Sequence, residues 1–214
     1  VDPDVDRLAF VDENGAMFGE EYTLVAVADY VLQNEVGNTV SNLSSTKALK
    51  EFTESKGGKY TASAVGEVNV VEKMKEVNAV IGGEGNGGVI YPQLHYGRDA
   101  LVGVSLFLSF LAKKGVRCSE LRSVYPSYHI SKNKIKLTPE IDTDKMLDAM
   151  KSKYSDLPII DIDGVKIEFE TGWVHLRKSN TEPIIRVYSE GNSKEDAEQL
   201  AKRVMDTAYQ IIES

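Results

Sequence analysis

Between Glu20 and about Leu121, short runs rich in β-branched residues alternate with runs of helical period, and after Tyr125 that alternation stops. EEYTLVAVADYVLQ opens with carboxylates suited to a helix N-terminus and repeats its apolar residues at helical spacing. VGNTVSNL then reads as a strand, STKALKEFTES as a helix, KYTASAV as a strand, VNVVEKMKEV as a helix and NAVIGG as a strand. Such alternation packs with helices on both faces of a mostly parallel sheet, so residues 20–124 are expected to form a three-layer α/β domain. Ligands of such sheets gather at the carboxyl ends of the strands. ALVGVSLFLSFLA at 100–112 is too short to span a bilayer and is expected to be a buried helix.

From residue 125 the order becomes a strand (SYHISKNKIKL), a helix (TDKMLDAMKSKY), the strands LPIID, VKIEFE, WVHLR and IIRVYSE, and a final helix. Asp163–Gly164 between alternating runs signals a hairpin. Ser193 with Asp196 three residues on reads as the start of the last helix, whose buried stripe runs Ala197, Leu200, Ala201, Val204, Met205, Ala208, Ile211 and Ile212. Residues 125–214 are therefore expected to be a smaller α+β domain, an antiparallel sheet with helices on one face. At the other end, RLAFVD at 7–12 reads as a strand, ENGA as a turn and Met17–Phe18 as a returning arm. Residues 1–19 are too few to stand alone.

With 214 residues, 42% of them hydrophobic, the chain can bury two such cores, and a net charge of −8 argues against nucleic acid or an anionic membrane as partner. Any anion site must be a local exception. A single cysteine, Cys118, permits no internal disulfide, and neither a signal peptide nor a transit segment is recognisable, so cytoplasm is the expected location. Cys and His pairs at metal spacing are absent, which argues against zinc.

Three stretches carry chemistry. In DPDVDR, Asp2, Asp4 and Asp6 project to one side of an extended or turning backbone, where they can converge on a hard cation; a frayed acidic terminus is the alternative, against which Pro3 stiffens the segment and Arg7 adds a cation. A calcium-binding EF-hand loop is rejected, because Arg7 stands where its glycine is required. Three protein oxygens suit magnesium, which keeps waters and takes a substrate phosphate. In GGEGNGG at 82–88, Gly83, Gly85 and Gly88 match a dinucleotide fingerprint, but a strand rather than a helix follows. What remains is a turn at a strand end presenting Glu84 and Asn86, groups that can hold sugar hydroxyls, or a loop rich in glycine only for tight turning. In RKSNTEPIIR, Arg177, Lys178, Ser179, Asn180 and Thr181, with Arg186 beyond, concentrate cations and neutral donors on an acidic chain, as a phosphate monoester requires; a polar hairpin loop explains the serine and asparagine but not the arginines. Glu67, between a strand and a helix, reads either as a general acid/base or as a first-turn carboxylate. His95 and Arg98 at the mouth of the apolar helix are placed to meet an anion, though a lone loop histidine is usually ordinary surface, whereas His129 and His175 read as structural.

DPDVDR, GGEGNGG and RKSNTEP, in that order, resemble the metal loop, sugar-binding loop and phosphate-binding loop of the alpha-D-phosphohexomutase family, and the three motifs span the chain. The resemblance implies magnesium on Asp2, Asp4 and Asp6 with Arg7 nearby, Glu84 and Asn86 on the sugar, and Arg177, Ser179, Asn180, Thr181 and Arg186 around the non-reacting phosphate. It also implies that residues 1–19 are the tail of a preceding domain carrying the metal loop, ahead of a sugar-binding domain at 20–124 and a phosphate-binding domain at 125–214. The implied activity is that of an isomerase, interconverting sugar 6-phosphates and 1-phosphates through a phosphoserine enzyme and a hexose bisphosphate. That serine lies in a Ser-His-Asn context which does not occur in these residues, so the chain alone is expected to be inactive, its partner being the N-terminal half of the same enzyme. Asn86 stands where many members have serine and Gly88 where several have histidine, a combination that leans toward phosphoglucosamine mutase. The alternatives are a phosphomannomutase/phosphoglucomutase, a non-catalytic sugar-phosphate-binding module, and a metal-dependent phosphatase. The last would need a nucleophilic aspartate at a strand end of its own α/β domain.

Overall fold

The computed structural model describes residues 1–138, 141–179 and 181–213, which form two compact units, Val1–Pro126 and Ser127–Ser214. In the first, α1 (Glu20–Asn34), β1 (Asn38–Asn42), α2 (Ala48–Ser55), β2 (Tyr60–Ser63), α3 (Glu67–Glu76), β3 (Ala79–Glu84), β4 (Gly88–Ile90), α4 (Ala100–Lys114) and α5 (Cys118–Ser123) follow in order. The sheet runs β2-β1-β3-β4, with β1 parallel to β2 and β3, and β4 antiparallel to β3. The β1-α2-β2 and β2-α3-β3 crossovers step in opposite directions along the sheet. Because such crossovers are right-handed, α2 and α3 must cover opposite faces, and α1 packs with α2 to complete the three layers. Val40 of β1, Val70 and Met74 of α3, Ala79 and Ile90 form the core beneath α3. From the adjacent, parallel β1 and β3 the chain departs in opposite directions along the sheet, toward β2 and toward β4, and such a switch point is where ligands of α/β sheets gather.

The hairpin read at residues 7–18 is present in shortened form: Val11 bridges Met17 antiparallel, Asp12 N–H donates to Ala16 O at 2.8 Å and Phe18 N–H donates to Phe10 O at 2.9 Å. Side chains fasten it to α4: Phe10 stacks on Phe107 with centroids 3.9 Å apart, and Phe18 meets the same ring edge-on at 4.9 Å. One expectation for this unit changes. Helix α4 is not buried all round. Ala100, Gly103, Phe107 and Phe110 face the core, while Leu101 and Leu108, seven residues apart and so on one stripe, are 63% and 53% exposed. Its apolar composition hid which residues the helical period turns outward.

The second unit comprises β5 (His129–Lys136), α6 (Thr143–Lys153), β6 (Ile159–Ile160), β7 (Val165–Phe169), β8 (Gly172–Lys178), β9 (Ile184–Gly191) and α7 (Lys194–Glu213). Its sheet runs β5-β9-β8-β7-β6 with every neighbouring pair antiparallel. Alternate residues Ile135, Val165, Ile167, Val174, Leu176, Ile185 and Val187 pack with Met146 and Met150 of α6 and Leu200, Val204 and Ala208 of α7. Both helices therefore cover one face. Gly164 turns the β6–β7 hairpin with φ 68°. At the start of α7, Asp196 N–H donates to Ser193 Oγ at 3.0 Å and Ser193 N–H to Asp196 Oδ2 at 3.1 Å, a reciprocal cap. Among the described residues, no helix is long and apolar enough to cross a membrane.

Candidate functional site

At the switch point the last residues of β1 and β3 meet. Glu84 is 4% exposed, and its Oε1 accepts from Asn42 Nδ2 at 2.8 Å and from Gly66 N–H at 3.3 Å. Beyond it the glycine-rich turn folds back into β4. Asn86 Oδ1 accepts from Gly88 N–H at 3.1 Å, which spends its carbonyl on the turn and leaves its amide hydrogens as donors. Gly87 has φ 86°, and a Cβ there would run into the Leu8 carbonyl, so this position admits only glycine. The close approach brings the N-terminal segment to the turn, where Leu8 N–H donates to Gly87 O at 3.2 Å.

That segment carries the three aspartates. Asp2, Asp4 and Asp6 each offer a carboxylate oxygen, all within 4.8 Å of one another. Arg7 Nε donates to Asp2 Oδ2 at 2.6 Å and lies 3.3 Å from Asp6 Oδ1. Partial desolvation opposes the charge on Asp2, but hydrogen bonds from the Arg7 amide and guanidinium outweigh it and hold this carboxyl well below the usual range. Asp6 moves the other way: burial raises it, Arg98 pulls against that, and Asp2 and Asp4 push it further up. Three carboxylates this close together are a donor set that could hold a hard, oxygen-seeking cation. Val5, between two of them, has φ 59°, a strained value for a β-branched residue. A cavity of about 370 Å³ lies against Asp2, Arg7, Leu8, Glu20 and Asn86, so the metal-loop and glycine-turn residues line one recess.

Glu67 opens α3, and its Oε1 accepts from the Arg98 amide at 2.7 Å while Oε2 lies 3.4 Å from Arg98 Nε. Arg98 Nη1 meets Glu84 Oε2 at 2.7 Å, and Nη2 forms an ion pair with Asp6. The expectation that Arg98 and His95 receive an anion at the mouth of α4 is thereby corrected. Arg98 is consumed by carboxylates, and the helix N-terminus is capped by Asp99, whose Oδ1 accepts from Leu101 and Val102 N–H and whose Oδ2 lies 3.0 Å from His95 Nε2. Sequence reasoning also passed over Asn42, although its place at the end of a strand beside the switch point was a usable signal.

In the second unit Arg177, next to last in β8, stands directly opposite Arg186 on β9, which is opposite Lys134 on β5. All three alternate with core residues and so lie on the face away from the helices. Arg186 Nη2 pairs with Glu182 at 2.9 Å, whereas Arg177 Nε is buried and has no hydrogen-bond partner among the described residues. Ser179 is 7% exposed; its N–H donates to Ile184 O at 3.0 Å, and Thr181 N–H approaches its Oγ at 3.5 Å. Asn180 lies outside the described residues. Lys134 had escaped the sequence reading, though the alternating lysines of SKNKIK were its signal. His175, 1% exposed, lies 2.6 Å through Nε2 from the Asp163 carbonyl oxygen, and burial lowers its pKa to about 4.

Comparison with known proteins concerns the two units as domains. Residues 19–128 match the family model of the phosphoglucomutase/phosphomannomutase alpha/beta/alpha domain III, and residues 134–207 that of the C-terminal domain. A phosphoglucomutase/phosphomannomutase of Thermococcus kodakarensis is 37% identical over 205 residues, covering 92% of this chain and 44% of the relative. A probable phosphoglucosamine mutase of Methanopyrus kandleri is 31% identical, covering 99% of this chain and 47% of the relative. The chain thus spans about half the length of the curated relatives it matches. Among solved structures, a phosphoglucomutase/phosphomannomutase family protein of Burkholderia thailandensis superposes with a TM-score of 0.81 at 25% identity, over 96% of this chain and 45% of that one. Aspergillus fumigatus N-acetylphosphoglucosamine mutase, solved with GlcNAc-6P and magnesium, shares the fold with a TM-score of 0.68 at 17% identity, over 96% of this chain and 50% of that one. This chain belongs to the phosphoglucomutase/phosphomannomutase family and carries its α/β/α domain III and its C-terminal domain.

Proposed function

We propose that this chain supplies the metal-, sugar- and phosphate-binding parts of a phosphohexomutase that interconverts glucosamine 6-phosphate and glucosamine 1-phosphate. The observation that carries the reading is the meeting of the metal loop and the sugar loop at the β1/β3 switch point, with Asp2, Arg7 and Asn86 lining one recess. In this reading Asp2, Asp4 and Asp6 hold magnesium, which when bound offsets the negative charge of a transferring phosphoryl group. Glu84 accepts from adjacent sugar hydroxyls through the lone pairs that Asn42, Gly66 and Arg98 leave over, and the Asn86 amide donates to the ring substituents. Arg177, Ser179, Asn180, Thr181 and Arg186 take the non-reacting phosphate. Like charges directly opposite one another cost stability in a sheet, and the row Lys134, Arg186, Arg177 is accounted for when a dianion neutralises it. Glu67 serves as the partner of Arg98, a role neither of its two sequence readings named.

The reaction itself requires a phosphoryl group already mounted on the enzyme. A phosphoserine gives its phosphoryl to the free sugar hydroxyl, forming a bisphosphate and a free serine, and after the sugar turns over the serine takes back the other phosphoryl. Positioning and electrostatics accelerate such a transfer only when donor and acceptor are both present. The reading places the serine in the additional length that the relatives possess, and the location in the cytoplasm. A second reading, with glucose or mannose as the sugar, is favoured by the 37% identity to the Thermococcus kodakarensis relative.

The test is to express the upstream half separately, mix it with this chain, add magnesium and catalytic hexose bisphosphate, and follow conversion of glucosamine 6-phosphate, mannose 1-phosphate and glucose 1-phosphate. Activity only in the mixture, lost when the upstream serine is replaced, is expected. Turnover by the 214-residue chain alone would overturn the reading, and the preferred sugar decides between its two forms.

A further inference from the structure

Arg98 reaches the carboxylates of three separate segments: Asp6 in the metal loop, Glu84 at the end of β3 and Glu67 at the start of α3. We infer that Arg98 is a positioning residue that locks the metal loop onto the sugar loop, so that both are presented to substrate as one rigid piece. The inference rests on the assignment of those two loops made above, but its mechanics stand on geometry. A guanidinium is a planar fork with several N–H donors, so the Asp6 and Glu84 carboxylates at Nη2 and Nη1 are fixed in angle as well as in distance, while Glu67 lies at ion-pair distance from Nε, which has no hydrogen-bond partner among the described residues. Its side chain is 18% exposed, where an ion pair is less screened than at the surface. The backbone amide of Arg98 is itself bound to Glu67 Oε1 at 2.7 Å, so the strut is anchored at both ends.

The surrounding chain is built to admit it. A Cβ on Gly88 would stand 2.5 Å from Arg98 Cδ and 3.1 Å from Cγ, so the bare backbone of the sugar loop is what lets the arginine stem pass. Backbone hydrogen bonds hold the metal loop on either side of the strut: Leu8 N–H to Gly87 O at 3.2 Å ties it to the sugar loop, and Ala100 N–H to Val5 O at 3.1 Å ties it to the start of α4. The second of these holds the strained Val5, a conformation that persists only where its surroundings over-determine it. Asp6 presents Oδ2 to Arg98 and Oδ1 to Arg7, so the strut and the metal loop's own arginine hold the two oxygens of one carboxylate.

The test uses the full chain and two readouts that need no turnover, amide hydrogen exchange and calorimetric titration with magnesium alone. In Arg98→Met the Leu8 and Ala100 amides are expected to exchange about tenfold faster or more, through local opening, and magnesium to bind correspondingly more weakly, while amides of β8 and β9 are unchanged. Arg98→Lys, which keeps the charge but lacks the fork, is expected to recover only part of the protection. Gly88→Ala, which keeps the arginine but crowds its stem, is expected to move both readouts in the same direction by less. Unchanged exchange in Arg98→Met, or full recovery in Arg98→Lys, would overturn the inference and reduce Arg98 to a counter-charge. Should Arg98→Met not fold, Gly88→Ala decides, and unchanged Leu8 and Ala100 exchange there overturns it. A parent chain that fails to bind glucosamine 6-phosphate at residues 177–186 would instead count against the proposed function and leave the exchange result standing.

Discussion

The two units treat charge in opposite ways. Around the β1/β3 switch point Glu84 has Asn42, Gly66 and Arg98, Glu67 has Arg98, Asp6 has Arg98 and Arg7, and Asp2 has Arg7, although Arg98 Nε has no hydrogen-bond partner among the described residues. On the second unit's sheet, Lys134, Arg186 and Arg177 face one another across neighbouring strands, with Glu182 paired to Arg186 and the buried Arg177 Nε lacking a hydrogen-bond partner among the described residues. The first arrangement is held together by its charges, and the second is held together in spite of them. A site whose charges are balanced internally can be rigid before any ligand arrives, whereas one with surplus charge offers its energy to an anion instead.

That contrast is breakable. The largest effect is expected in the first unit, where Glu84→Ala would leave Arg98 and Asn42 facing a partly buried hole; breaking such a pair costs roughly 3–5 kcal/mol, read as a lower unfolding midpoint in denaturant. A loss below about 1 kcal/mol would show that the first unit's charges are not structural.

Acid should separate the units next. His175 is neutral in the fold, with burial lowering its pKa to about 4, the charges of Lys166 and Arg177 adding to that, and the Asp163 contacts opposing it. An unfolded histidine titrates near 6.5, so below that pH the unfolded chain binds the extra proton, and stability falls as pH drops from about 6.5 toward 4. The window corresponds to a loss on the order of 3 kcal/mol, confined to the second unit, and His175→Gln should flatten it. Unfolding followed by NMR across that range, with amides of both units resolved, is the measurement; equal acid sensitivity in both would refute it.

Arg177→Ala sharpens the comparison from the side of binding. It is expected to cost roughly 2 kcal/mol of affinity for glucosamine 6-phosphate, the worth of a charge-assisted contact, with stability unchanged or slightly raised because a facing pair of like charges is relieved. Titration and thermal melting together check the split. The smallest effect is expected at Val5→Gly, which removes the penalty of a β-branched residue at φ 59° and should raise the stability of the first unit by about 1 kcal/mol. A loss in its place would mean that the Val5 side chain contributes more packing than its strain costs.

Much of this molecule was legible in its residues. Periodicity alone divided an alternating α/β region from an antiparallel one, because the side-chain repeats of helix and strand are set by backbone geometry and hold wherever one face is buried. Asp163–Gly164, the Ser193 cap and the stripe from Ala197 to Ala208 stand where expected, since turns and caps are satisfied by neighbours in sequence. The same reasoning failed where partners are distant. The short hairpin at residues 10–18 was legible, but nothing local showed that Phe10 and Phe18 would both pack on Phe107 of α4. The outward turn of Leu101 and Leu108 depended on which side of α4 meets the rest of the unit.

The site shows the same division. Sequence by itself determined where chemically able side chains cluster, since aspartates, glycines and arginines advertise their chemistry by type and spacing. Only the tertiary structure decided their company: that Arg98 turns inward to Asp6, Glu67 and Glu84, that Asn42 stands behind Glu84, and that Lys134 joins Arg186 and Arg177. Ion pairs and cross-strand rows join residues far apart along the chain. Their formation depends on which strands lie side by side and on what burial does to a charge, and neither is written in local spacing.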